Sequence, residues 1–208
     1  MLLLYLEFTE GISGVIFNFI YSYAQIDIII IKRAKGLVFL LFILGGVRKT
    51  REQTCCFTGH RNIPEGEHEQ LAIRLEQTVE ELIRSGIRYF GAGGAMGFDT
   101  MAAQVVLKLR KRYSQVRLIL VLPCETQTRG WPEEAVRTYM AIKDAADKVR
   151  YTSVEYTPGC MHVRNRHLVD HSGICVAYLT ENKGGTAYTV NYAKKKGVPV
   201  INLGQWDD

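Results

Sequence analysis

From about residue 51 onward the chain alternates between short apolar runs and longer amphipathic stretches. Apolar runs at 53–58, 88–91, 116–122, 149–153, 174–179 and 199–203 have the length and β-branched content of buried strands. Between them, 67–85 places Leu71, Leu75, Val79, Leu82 and Ile83 on one helical face, with Gly86 as its stop. Further helices are predicted at 100–112, at 133–148 behind Pro132, at 161–171, and at 187–196, the last ended by Gly197 and Pro199. Strands that read as continuous apolar runs, each followed by a helix, predict an α/β fold. It would be a doubly wound, mainly parallel sheet of about six strands with helices on both faces.

Residues 1–50 break this pattern. They are apolar, poor in charge and without strand–helix alternation, so the domain is expected to span 51–208 with 1–50 as an extension. The run 11–31 is long enough to cross a bilayer but carries Asn18, Gln25 and Asp27, and an Asp in mid-span costs about 2.5–3.5 kcal/mol. A second run, 37–44, is too short. No basic segment precedes the first run and no small-residue cleavage site follows the second, against a signal peptide. The expectation is upstream sequence read through an early start, with a membrane anchor flanked by Lys32, Arg33, Lys35, Arg48 and Lys49, then an ordered extension, as the alternatives.

In a parallel α/β sheet, ligands bind beyond the carboxyl ends of the strands. The corners at that rim are unusual. After the first strand comes Thr58-Gly59-His60-Arg61. After the second comes the nine-residue loop 91–99, with Gly91, Gly93, Gly94, Gly97 and a final Asp99. After the third come Pro123-Cys124-Glu125-Thr126, and after the fifth Lys183-Gly184-Gly185-Thr186. Glycines at a strand-to-helix corner admit sharp turns and close ligand approach, and a helix N-terminus offers free N–H groups to phosphate. Each corner alone is explained by a tight turn or a capped helix start; together they predict one anion-binding cleft. There is no Gly-Lys-Ser/Thr ending, which disfavours a Walker-type nucleoside triphosphatase.

Arg61 offers a bidentate fork to phosphate, with His60 beside it. Asp99 is a cap, a ribose contact, or both. Arg164 and Asn165 fall in the first turn of a predicted helix, where the dipole disfavours cations, so an anionic partner is expected. Arg166 and Asp170 have the spacing of an ordinary i,i+4 pair. Cys160, His162, His167 and His171 lack the acid of an H-E-x-x-H pattern and a second cysteine pair, so no metal is expected. Five cysteines without a C-x-x-C pair exclude a disulfide framework; Cys55, Cys56 and Cys175 read as core residues of a cytoplasmic protein. The net charge is +5, and residues 51–208 hold 21 basic against 18 acidic side chains, too little excess to argue for duplex nucleic acid.

As a set, the motifs at 58–61, 91–99, 122–124, 164–172 and 184–186 resemble the SLOG superfamily, the Rossmann-like group that includes DNA-processing proteins and LOG-type phosphoribohydrolases. The match is nearest its YpsA-like branch, the domain of unknown function numbered 1273, and covers roughly 52–204. The resemblance implies a Rossmann-like sheet binding a nucleotide or nucleotide-derived small molecule, and points to no particular cofactor beyond that ligand. Gly59, His60, Arg61, Gly91, Gly93, Gly94, Gly97, Asp99, Arg164, Asn165, Gly184, Gly185 and Thr186 are its expected contacts. LOG-type enzymes cleave the N-glycosidic bond of nucleoside monophosphates with a glutamate just after the second glycine motif. Here Ala187, Tyr188 and Thr189 follow Thr186, leaving Glu125 and Asp99 as the substitute carboxylates. The favoured role is a sensor or ligand-binding protein, ahead of a glycosidase and ahead of single-stranded DNA binding, in which Arg61, Arg129, Trp131, Arg164 and Arg166 would take part. Self-association is compatible with either role.

Overall fold

The computed structural model describes residues 50–204 throughout and, within residues 1–49, the backbone of four strands. The chain divides into two compact units, Met1–Lys49 and Thr50–Asp208. In the first, β1 (Leu3–Phe8), β2 (Ile12–Tyr21), β3 (Ala24–Lys32) and β4 (Phe42–Leu44) pair antiparallel in sequence order. The apolar run 11–31 is thus divided between two strands, with Ile16 opposite Ile29, as its isoleucine content favours. Among the described residues no helix is long and apolar enough to cross a membrane. The side chains of 1–49, and with them the expectations of upstream sequence or an anchor, lie outside the described residues.

Among the described residues the second unit holds six strands and five α-helices. The strands are β5 (Thr54–Gly59), β6 (Tyr89–Ala92), β7 (Arg117–Leu122), β8 (Lys148–Tyr151), β9 (Ile174–Tyr178) and β10 (Val200–Asn202). The helices are α1 (His68–Arg84), α2 (Phe98–Arg110), α3 (Glu133–Ala145), α4 (Cys160–Asp170) and α5 (Gly184–Lys195). All strand pairings are parallel, in the order β10-β9-β5-β6-β7-β8. The chain runs outward from β5 to β8 and then returns to place β9 on the other side of β5. The topological switch point is therefore between β5 and β9, where such sheets form their ligand crevice.

Side-chain alternation decides what each face buries. Cys55 and Phe57 of β5 point into the core beneath α1, α2 and α3, whereas Cys56 joins Cys175, Leu168 and Ala193 beneath α4 and α5. Phe98, in the first turn of α2, stacks on Tyr178 at 5.8 Å and meets Phe57 edge-on at 6.4 Å, tying the helix start to both strands of the switch point. The five cysteines are free and buried.

Four helix boundaries differ from the sequence reading by two residues or more, one of them the end of α2 at Arg110 instead of 112. α3 ends at Ala145, three residues early, because the Asp147 carboxylate accepts the Leu118 N–H at 2.8 Å and draws the chain into β8. α2 begins at Phe98 instead of 100, and α5 at Gly184 instead of 187. In both, a glycine with positive φ (Gly97 at 76°, Gly184 at 77°) makes the turn in one residue and the helix starts at once.

Candidate functional site

A cavity of about 330 Å³ opens at the switch point. It is built by the end of β5 and its loop (Thr58 to Arg61), by Ala95 and Asp99 ahead of and within α2, by Met161, Arg164 and Asn165 of α4, and by Gly185 and Thr186 of α5. The β5 loop is fixed on both sides. The His60 N–H donates to the Tyr178 carbonyl at 3.3 Å, its own carbonyl accepts from the Phe98 N–H at 3.1 Å, and its Nε2 accepts from the Thr180 N–H at 3.1 Å. Arg61 is left exposed on the rim.

Asp99 and Arg164 are both buried, with Nη1 of Arg164 3.5 Å from Oδ2 of Asp99. Asp99 also accepts from the Ala95 N–H at 3.4 Å. These contacts are long, and neither group recovers what burial costs it. Burial raises the Asp99 carboxyl above its ordinary value despite the pull of Arg164. Burial lowers Arg164, Asp99 opposing and Arg61 adding to the effect. Nε of Arg164 has no partner among the described residues. Two guanidiniums and a helix N-terminus thus face one carboxylate, an arrangement short of negative charge.

The expected glycines divide by role. Gly59 and Gly185 line the cavity. Gly93 sits where the Arg164 guanidinium passes, so a Cβ would coincide with it, and a Cβ on Gly97 would run into the Arg61 carbonyl. Gly94 packs on Leu122 and Tyr139. Gly91 lies inside β6 against Leu168 and away from the cavity, and Gly184 is exposed one residue outside it. Thr186 is buried inside α5, and Lys183 is the residue ahead of the helix, so Thr186 does not cap it. The Asn165 amide donates to Thr189 Oγ1 at 2.8 Å, which in turn donates to the Gly185 carbonyl at 2.8 Å, locking α4 to the first turn of α5.

Glu125 is exposed and is not part of the cavity lining. His162 meets the Tyr188 ring at 4.3 Å and His167 meets His171 at 4.0 Å. Sequence reasoning missed Gln127. Its buried Nε2 donates to the carbonyls of Gly94 at 2.7 Å and Gly93 at 3.3 Å, holding the glycine loop from the third corner. The available signal was a polar residue just beyond Pro123-Cys124, and nothing in one sequence separates it from a surface glutamine. Met161 was also missed, because its place in the helix pattern conceals that α4 begins at the cavity.

A model described as the YspA SLOG family matches residues 56–199. The SPbeta prophage-derived protein YoqJ of Bacillus subtilis is 31% identical over 139 residues, 61% of this chain and 81% of that protein. The UPF0398 protein BH1768 of Halalkalibacterium halodurans is 32% identical over 125 residues, 59% of this chain and 66% of that protein. Among solved structures, DNA processing protein A of Helicobacter pylori, described for its single-stranded DNA binding mode, matches with a TM-score of 0.54 at 19% identity. The match covers 74% of this chain and 66% of that one. DprA of Streptococcus pneumoniae matches with a TM-score of 0.56 at 18% identity, over 74% of this chain and 50% of that one. At these identities the structural likeness concerns the fold.

Proposed function

The chain belongs to the YspA SLOG family, and from that premise and the charge of the cleft we propose that it binds a nucleotide or nucleotide-derived small molecule between β5 and β9, as a sensor or ligand-binding protein. The carrying observation is the convergence of Arg61, the buried and under-satisfied Arg164 and the N-terminus of α5 on one cavity. A phosphate there supplies the missing negative charge and accepts from the α5 N–H groups around Gly185 and Thr186. In this reading Asp99, beside Arg164 in the cavity, accepts from a ribose hydroxyl. Of the two candidate carboxylates only Asp99 lines the cavity, and Glu125 lies outside it, which favours binding over glycosidic cleavage by a carboxylate pair.

A thermal-shift panel of AMP, NAD, ADP-ribose and cyclic AMP on the full chain tests this. One member is expected to raise the melting temperature, a ligand at about a hundred times its Kd adding roughly 2.7 kcal/mol. Arg61→Ala, on the exposed rim, is expected to remove the shift without altering the melting temperature of the free protein. No shift with any member at millimolar concentration would sink the proposal. Free base released from a nucleoside monophosphate, and lost in Asp99→Asn, would replace it with the glycosidase reading.

A second reading rests on a different surface. Tyr188 stacks on Tyr192 at 6.4 Å, meets His162, and accepts a hydrogen bond from Arg166 at 2.9 Å, a band of rings and a cation beside the cleft. Such bands suit unstacked bases. Salt-sensitive binding of an oligothymidine, weakened by Tyr188→Ala, would favour single-stranded DNA; salt-independent or absent binding would count against it.

A further inference from the structure

Among the described residues, three helices cover one face of the main sheet and two cover the other, and none of these helices lies over part of β6, β7 and β8 beside the C-terminal half of α4. A second cavity of about 430 Å³ lies there, sharing no residue with the cleft. Small-molecule pockets run about 300–1,000 Å³. Its floor is Ile119 and Val121 of β7, and Leu168 of α4 forms a wall. Gly91, opposite Ile119 in register, keeps the floor low between the two.

The rim differs from the floor. Ile119 is paired with Lys148 and Val121 with Arg150, so the alternation that turns the apolar pair to this face turns two cations to it as well. Both are exposed, and among the described residues neither forms an ion pair. The acids that could neutralise them are committed elsewhere. Asp147 binds Arg110 at 2.8 Å and Arg117 at 3.6 Å. Asp170, itself on the rim, accepts from the Tyr192 hydroxyl at 2.9 Å and lies 3.9 Å from Lys196. Arg51, whose Nε donates to the Ser172 carbonyl at 3.2 Å, adds a third cation, so the rim carries three cations against one engaged carboxylate.

We infer that this cavity binds a small organic anion with an apolar body, a carboxylate on an alkyl chain or an aromatic ring. The body lies on Ile119, Val121 and Leu168, and the carboxylate lies between Lys148 and Arg150. A nucleotide fits this cavity poorly, since its base and sugar need polar partners that the floor lacks.

Isothermal titration of the full chain with decanoate, below its micelle concentration, and with 4-phenylbutyrate tests the inference. At least one is expected to bind saturably, and which one does so tells chain from ring. The corresponding neutral amide, and the double variant Lys148→Glu with Arg150→Glu, are expected to bind about tenfold more weakly or worse, as loss of a charge-assisted contact implies. Both cations are exposed, so an unchanged melting temperature checks that the variant is folded. Ile119→Asp, on the half-buried floor, is expected to abolish binding. The inference is overturned if neither carboxylate gives a saturable signal, or if the charge-reversed variant binds as well as the natural chain. It is also overturned if Ile119→Asp instead dissociates a dimer, which would make this face an interface between copies.

Discussion

At Gly93 a Cβ would coincide with the guanidinium of Arg164, whereas at Gly185 it would meet nothing within 4 Å. The first glycine serves the protein's own packing. The second has no such demand on it, and in the first turn of α5 alanine is the better helix former. Gly185→Ala is therefore expected to leave stability within about 0.5 kcal/mol, or to raise it slightly, while reducing the ligand-induced melting shift. Gly93→Ala is expected to displace Arg164 and reduce both; urea unfolding with and without ligand separates the two patterns. The Asp99–Arg164 pair gives a pH prediction. With its folded-state value raised above the ordinary 3.8, Asp99 keeps its proton in the folded chain at pH values where the unfolded chain has lost it. Its contribution to stability therefore grows as pH falls through the folded value and is smallest above it. Arg164→Leu removes the opposing cation and raises Asp99 further. The variant's stability deficit at pH 7, bounded by the roughly 3–5 kcal/mol of a broken buried pair, is expected to shrink as pH is lowered in urea unfolding at stepped pH.

Among the helices, α4 joins the two cavities, with Arg164 at one and His167 at the other. His167 lies in its last turn, where the helix dipole favours a charged imidazole. Burial outweighs that, and with His171 and Arg150 it lowers His167 from its ordinary 6.5. The stability this gives is whole above pH 6.5 and is lost as pH falls through 6.5 toward the folded-state value, because the unfolded chain takes the proton first. His167→Gln is expected to flatten the fall in unfolding free energy below pH 6.5, measured by urea titration at stepped pH. The same helix shows where a sequence reading stops. Its apolar spacing at Leu168 and Val169 was legible, but Arg164 read as a cation in an unfavourable first turn and is a second-turn residue buried against Asp99. Nothing local marks a pair separated by 65 residues.

For the whole molecule, the uneven helix layers follow from strand order. A chain that returns from β8 to the far side of β5 carries α4 back across the sheet, and so builds the cleft at the switch point and leaves part of β7 and β8 without a covering helix among the described residues. The unit Thr50–Asp208 has its own core on both faces of the sheet, and we propose that it is the folding domain. A chain shortened to begin at Thr50 is expected to unfold in one cooperative transition by far-UV circular dichroism. A broad, non-cooperative melt would show that residues 1–49 are needed.

The sequence by itself determined the strands and helices of the second unit and the rim they share, but not the four strands of the first. Strand and helix periodicities are local, and a ligand crevice at strand carboxyl ends follows from parallel order alone, so the corners at 58–61, 91–99 and 184–186 were legible as one edge of the fold. Tertiary structure alone decided which side of β5 receives β9, and hence which corners meet. It also decided that Gly93 and Gly97 make room for Arg164 and Arg61, that Gln127 holds the glycine loop, and that Glu125 faces outward. These outcomes depend on contacts between residues far apart in the chain, and the free energy of such contacts is set by what fills the space between elements, which no local pattern encodes.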